Sequence, residues 1–203
     1  MKILIPALCC VMSYLYGSIP FALVIGKVFF HKDVREYGSK NLGGTNAGRV
    51  LGKPAGMAVI ILDATKCIVS IGLSRLALNY FGLSTDWAYL SGLACVVGHC
   101  YPVFADFRGG KGVSSAIAYA FMTNIPAFIV AFVTFMTTLK LSKYVSLASC
   151  LGCVAVVVAS PFLGYPPIGL ITNVLIASLI IYRHRANLNR IKNGEEPKIT
   201  WMK

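Results

Sequence analysis

Acidic side chains are scarce in this chain, which carries only 7 Asp and Glu among 203 residues, against 19 Lys and Arg. The seven stand singly or at the tail, so no carboxylate cluster is on hand for a divalent cation, and no metal site is expected. Charge of either sign is thin, at 13% of residues, where a soluble domain carries ~25%. Cysteine is present without the layout of a disulfide framework. Cys9, Cys10, Cys67, Cys95, Cys150 and Cys153 lie in apolar runs, where a thiol behaves as a small hydrophobe, and Cys100 sits in a polar stretch. No internal repeat or low-complexity segment divides the chain, so one membrane domain over residues 1–203 is expected.

What the sequence has instead is long apolar runs, with 57% of residues hydrophobic. They fall at about 3–30, 55–78, 87–105, 113–139, 144–163 and 164–182. A helix needs roughly 20 apolar residues to cross a hydrocarbon core about 30 Å thick, so the bilayer is the solvent to reason with. Lys2 and the run Ile3 to Leu15 look like the start of a secretory signal. No A-x-A-like site follows and the run resumes to Phe30, so an uncleaved first span is expected.

All the basic residues except Lys2, Lys66 and Arg75 lie in four stretches: 27–53, 98–112, 140–143 and the tail from Arg183 to Lys203. Connections 79–86, 123–126 and 160–167 carry none. Lys and Arg collect in cytoplasmic loops, so topology accounts for most of the excess, and nucleic acid is not an expected partner. The four basic stretches then face the cytoplasm, with the N-terminus outside and the C-terminus inside. Between the 98–112 loop and the tail the chain must cross an even number of times, yet three apolar runs lie there. The interruption Thr123-Asn124-Ile125-Pro126 resolves this, because proline lacks an N–H and breaks a helix. Two short helices of about 12–13 residues are expected on either side, roughly 18–20 Å each. The fold class is therefore all-α and polytopic, with about seven helical segments. A five-span arrangement fusing other segments is the alternative. Arg75, near the outer end of the second span, is accommodated by snorkelling to the interface or by a small shift in the span boundary.

Three polar stretches are candidates for chemistry. The first, Gly38-Ser39-Lys40-Asn41-Leu42-Gly43-Gly44-Thr45-Asn46-Ala47-Gly48-Arg49, alternates glycine with hydroxyl, amide and basic side chains. Successive amides in such a loop converge on an anion, Ser39 and Thr45 add donors, and Arg49 grips phosphate bidentately. Glycine-rich turns are also ordinary interhelical loop material. The second runs from Gly98-His99-Cys100-Tyr101-Pro102 to Arg108-Gly109-Gly110-Lys111-Gly112. It is not a Walker A loop, which needs glycine at Ala105 and Ser or Thr at Gly112. Gly-Gly-Lys-Gly ahead of a helix still gathers amides, a helix N-terminus and an ammonium into an anion site. His99 is either a general base for a substrate hydroxyl or a packing residue at a helix end. The third, Tyr182 to Arg190 followed by Gly194-Glu195-Glu196, is basic as a cytoplasmic end should be. Orientation does not call for His184 and Asn187, whose i, i+3 spacing places them on one helical face.

Within the spans, Asp63 and Lys66 stand at i, i+3. Charges in the membrane are expensive, so an internal ion pair is expected, with a substrate role second. Ser142, Ser146 and Ser149 either line the cytoplasmic mouth or serve as helix-packing residues.

Together these stretches resemble the signature motifs of the bacterial acyl-phosphate:glycerol-3-phosphate acyltransferases, the PlsY type. Ser39 to Arg49 is similar to the first motif, Gly98 to Val113 to the second, and His184 to Glu196 to the third; Gly17-Ser18-Ile19-Pro20 and Asp63 with Lys66 also fit. The likeness runs from about residue 12 to 197. Arg108 stands where Lys is common, Gly44 where Ala is usual, and Ser114-Ser115 replaces Ala-Thr.

The resemblance implies a single membrane acyltransferase domain of the bacterial inner membrane with its active-site loops in the cytoplasm. Its reaction moves an acyl group from acyl phosphate to glycerol 3-phosphate, giving 1-acyl-glycerol 3-phosphate and inorganic phosphate, the first acylation of phospholipid synthesis. Carried over, His99, His184 and Asn187 surround the reacting groups. Ser39, Asn41, Gly43, Thr45, Asn46, Arg49, Arg108, Gly110 and Lys111 fall at substrate- and phosphate-binding positions. Acyl phosphate is already activated, so no cofactor is expected; the partners are the two substrates and membrane lipid. A transporter of a phosphorylated metabolite is a poorer match, since the charges avoid the midplane and no inverted repeat is visible. A lipid-linked alcohol phosphotransferase would need the missing acidic cluster.

Overall fold

A computed structural model describes residues 2–199, and within them every regular element is helical. Lys203, counted with the basic tail, lies outside the described residues. Among the described residues six helical stretches are long and apolar enough to span a bilayer, and a shorter apolar helix brings the total to the seven segments expected. The chain is an integral membrane protein. It forms two compact units, Met1–Tyr119 and Ala120–Lys203.

In the first unit the opening span is α1 (Leu4–Gly17) and α2 (Phe21–Phe30), interrupted at Ser18-Ile19-Pro20. Pro20 has no N–H to continue the ladder, so a run that hydropathy shows as continuous is broken in the backbone. A loop leads to α3 (Gly44–Leu51), then the long α4 (Lys53–Tyr80) and α5 (Ala88–Cys100). Helix α1 packs on α5 and α4. At the α1–α5 crossing the backbones touch: a Cβ on Gly17 would strike the Cys95 carbonyl, and one on Gly98 would strike that of Tyr14. Lipid offers no hydrophobic drive to bring helices together, so close approach through small residues does it. Larger apolar side chains such as Leu8, Met12, Leu73 and Leu76 point outward. Around the first loop, Val34, Leu42, Ala47, Leu51 and Val59 form a buried cluster that fixes it against α2 and α4.

Helix α6 (Val113–Thr123) closes the 98–112 loop. In the second unit follow α7 (Ile125–Ser142), α8 (Val145–Ala159) and α9 (Pro167–Lys192), with α8 packed on both neighbours. The break near Pro126 falls where expected, but its two sides are unequal at 11 and 18 residues. Asn124 makes the break by capping the new helix, accepting from Ala127 N at 2.9 Å, and Pro126 sits in the first turn, where its missing N–H costs nothing. Lys140 to Ser142 end the apolar run without ending the helix, which stops at Lys143 in the left-handed conformation (φ 63°). Cys150 and Cys153 stand at C-x-x-C spacing on α8, one helical turn apart, and are not joined in a disulfide.

Candidate active site

The first loop is organised by Asn46, which is 2% exposed. Its Nδ2 donates to Val34 O at 2.9 Å and Tyr37 O at 3.3 Å, while Oδ1 accepts from Ser39 N at 2.8 Å. An amide engaged this way shapes the loop and is not offered to a substrate. Upstream, Arg35 clamps Asp33, with Nη2 at 2.8 Å, and reaches Asp106 of the second loop at 3.4 Å. The Arg35 hydrogen bond pulls the Asp33 carboxyl down to about 2. Ser39, Thr45 and Arg49 are exposed, and Gly43 directly precedes α3.

The second loop is tied to the first by Asn41, whose Nδ2 donates to Gly109 O at 3.3 Å. Gly110 N donates back to His99 O at 3.0 Å, folding the glycine pair over the end of α5. The pair covers the imidazole so closely that a Cβ on Gly110 would overlap His99 Nε2. His99 is accordingly only 6% exposed, which suits a support for the turn better than a base open to substrate. Arg108 is exposed and Lys111 half-buried at the same turn.

Beneath this turn lies a buried ionic cluster. Lys66 Nζ stands 2.9 Å from Asp63 Oδ1, so the expected internal pair is present. The ammonium also donates to Gly17 O at 3.0 Å and Ile19 O at 2.8 Å, two carbonyls at the α1–α2 break. Backbone groups inside a membrane must be satisfied from within the protein, and Lys66 spends two of its three donors on these carbonyls and the third on Asp63. The same Asp63 oxygen lies 3.5 Å from His99 Nδ1. Sequence reasoning placed Asp63 with Lys66 by their helical spacing; nothing in that spacing revealed the contact to His99 on another helix.

In the second unit, the third motif is helical, since α9 runs on through Lys192. His184 and Asn187 share a buried face, as their spacing predicts. His184 Nδ1 lies 2.8 Å from Ile180 O, and a carbonyl only accepts, so Nδ1 carries the proton. Asn187 is engaged by the segment that follows the helix: its Nδ2 donates to Glu196 Oε1 at 2.7 Å. Ser146 donates to the same oxygen at 2.9 Å, and Arg190 Nε to Oε2 at 2.9 Å. Burial pushes the Glu196 carboxyl up, but these three donors together outweigh it and hold it below its ordinary value. Ser142 and Ser149 donate to carbonyls of their own helices, at Thr138 and Val145. Of the three serines, Ser146 has the cross-helix partner, and only the pairing with distant Glu196 distinguishes it.

Known proteins share this arrangement over nearly the whole chain. The family model described as glycerol-3-phosphate acyltransferase matches residues 7–194. A glycerol-3-phosphate acyltransferase of Listeria monocytogenes serovar 1/2a is 46% identical over 193 residues, covering 94% of this chain and 95% of its own. One from Bacillus cereus is 44% identical over 193 residues, covering 95% and 94%. The crystal structure of PlsY, an integral membrane glycerol 3-phosphate acyltransferase in its glycerol 3-phosphate form, superposes with a TM-score of 0.88 at 36% identity, covering 96% of each chain. Its lysophosphatidic acid form gives 0.85 at 35% identity, covering 96% of this chain and 95% of that one. The chain belongs to the glycerol-3-phosphate acyltransferase family and is an acyltransferase of the PlsY type embedded in a membrane.

Proposed function

We propose that the protein transfers the acyl group of acyl phosphate to a hydroxyl of glycerol 3-phosphate, as one functional domain in the bacterial inner membrane. The N-terminus lies outside, and the motif loops and C-terminus lie in the cytoplasm, in keeping with the positive-inside rule. The observation that carries the reading is the joining of the first two motifs by Asn41 and Gly109, two stretches that carry the exposed Ser39, Thr45, Arg49 and Arg108. Such a surface suits a phosphate ester, and the structural neighbour crystallised with glycerol 3-phosphate supports that choice.

The two substrates are both anions, one soluble and one anchored by its chain. Cationic loops offset their repulsion and align hydroxyl with carbonyl. The hydroxyl oxygen forms the new ester bond, the carbonyl–phosphate C–O bond breaks, and the hydroxyl proton leaves with inorganic phosphate. The phosphate of the donor receives that proton in this scheme, because His99 lies under Gly110. Lys111, Arg49 and Ser39, with amides of the 109–112 turn other than that of Gly110, hold phosphate and stabilise the charge that develops. Asn41, Gly43 and Asn46 keep the loops in shape. Asn187 and His184 act from α9, with Glu196 orienting Asn187.

The test uses the full chain in lipid nanodiscs with labelled glycerol 3-phosphate and either acyl phosphate or acyl-CoA as donor. Lysophosphatidate with an equal amount of released phosphate, from acyl phosphate alone, is the expected outcome. Product from acyl-CoA but not from acyl phosphate overturns the proposed donor. In sealed vesicles, label accumulating unesterified would point to transport.

A further inference from the structure

A buried carboxylate on a helix long and apolar enough to span a membrane asks for a reason, and Asp63 is 1% exposed on α4. Stability alone is a weak one. A buried ion pair often contributes no more than apolar side chains of the same volume, because both charges lose their water. Lys66 also has an evident duty of its own at the broken first span, where it satisfies Gly17 and Ile19. What the carboxylate adds is its second contact, to His99 Nδ1 at 3.5 Å.

Asp63 in fact holds both ends of the loop that carries the glycine turn. Its carboxylate meets His99, at the end of α5 before the loop. Its backbone carbonyl accepts from Ser115 Oγ at 3.1 Å, in the first turn of α6 after the loop. Between these anchors, Gly110 N is bonded to His99 O and the Gly110 Cα lies against Nε2. A rotation of the imidazole would drive Nε2 into the turn or open a gap beneath it.

We propose that Asp63 is a positioning residue for acyl transfer, holding the His99 imidazole with Nδ1 toward the carboxylate and Nε2 beneath Gly110, and so fixing the turn that receives substrate phosphate. The inference rests on the acyl-transfer reading given above. It predicts an unequal effect on the two substrates. Glycerol 3-phosphate is held by its polar groups alone, whereas an acyl phosphate is also held by its chain in the lipid. Misplaced turn amides therefore weaken the first more than the second.

Steady-state kinetics of Asp63→Asn in nanodiscs are expected to show a KM for glycerol 3-phosphate raised about tenfold, the effect of one well-placed hydrogen bond to a charged group, with the KM for acyl phosphate within about twofold. A merely structural role would lower the amount of active enzyme and leave both KM values in place. The double variant Asp63→Asn/His99→Gln is expected to be no worse than His99→Gln alone, since Asp63 acts through that ring. Additive losses, or an unchanged KM for glycerol 3-phosphate, overturn the proposal. If Asp63→Asn does not fold, Asp63→Asn/Lys66→Gln removes both charges while keeping amide donors for Gly17 and Ile19, and the same KM shift is expected. The wild-type protein supplies a check independent of any substitution. Nitrogen-15 spectra of labelled histidine, with the His99 signal identified by its loss in His99→Gln, are expected to show a protonated Nδ1. An Nδ1 without a proton overturns the proposal even if every variant misfolds. Absence of turnover by the wild type, with Nδ1 protonated, would instead sink the acyl-transfer reading and leave the Asp63–His99 contact standing.

Discussion

The carboxylate of Glu196 accepts from the Asn187 amide at 2.7 Å, so a side chain just beyond α9 fixes the orientation of one on its buried face. Ser146 on α8 and Arg190 share the same carboxylate. Replacing Glu196 by Gln keeps the shape but turns charge-assisted bonds into neutral ones and offers Asn187 and Ser146 an amide in place of an anion. A loss of about 1–2 kcal/mol in stability is expected, with a larger fall in activity. Thermal unfolding in detergent and turnover in nanodiscs check this; unchanged values for both would mean that the contact holds nothing in place.

Acid should release the same contact. The folded-state pKa of Glu196 lies below its ordinary value of 4.5, so its contribution is complete above that value and is lost as pH falls through the folded pKa. Proteolysis by pepsin should therefore begin to cut residues 193–199 in the acid range. Glu196→Gln should show that cutting with no dependence on a carboxylate. In the first loop, Asp33 has its pKa drawn to about 2 by Arg35, so its clamp persists through most of the same acid range.

Gly110→Ala tests the packing of the turn. The added methyl overlaps His99 Nε2, and the ring has Asp63 behind it. A loss of roughly tenfold to a hundredfold in kcat/KM is expected, comparable to misplacing a catalytic group by about 1 Å. Gly72→Ala, where a Cβ meets nothing within 4 Å, should leave turnover unchanged and serves as the control.

Arg49 is exposed on α3, where its planar fork is available to phosphate. Arg49→Lys preserves charge and removes bidentate donation, so KM for glycerol 3-phosphate should rise about tenfold, and Arg49→Ala should lose most activity while still inserting. Near-normal turnover of Arg49→Ala at low glycerol 3-phosphate would remove phosphate gripping as its role.

The helical, membrane-spanning character and the break before Pro126 were legible because hydropathy and proline act locally. The unequal halves of that break were not, since Lys140, Leu141 and Ser142 leave an apolar run without leaving a helix. Proline at position 20 carried the same signal as Pro126 but sat inside an unbroken apolar run, where hydropathy hides it. The motif residues were legible as donors, whereas their division of labour was not. Asn46 and Arg49 are equally polar in sequence, yet one is sealed inside the loop and the other faces outward. Pairings such as Asp63 with His99 depend on which helices become neighbours, information that no local pattern contains.

The Gly17 carbonyl accepts from Lys66, 49 positions further along the chain. At a synthesis rate of about 5–20 residues per second, the ribosome needs several seconds to deliver it. During that interval the first hydrophobic segment lacks the ammonium from which its Gly17 and Ile19 carbonyls accept in the folded chain. The contact that ties the break in the first span to α4 therefore forms only once α4 has been made.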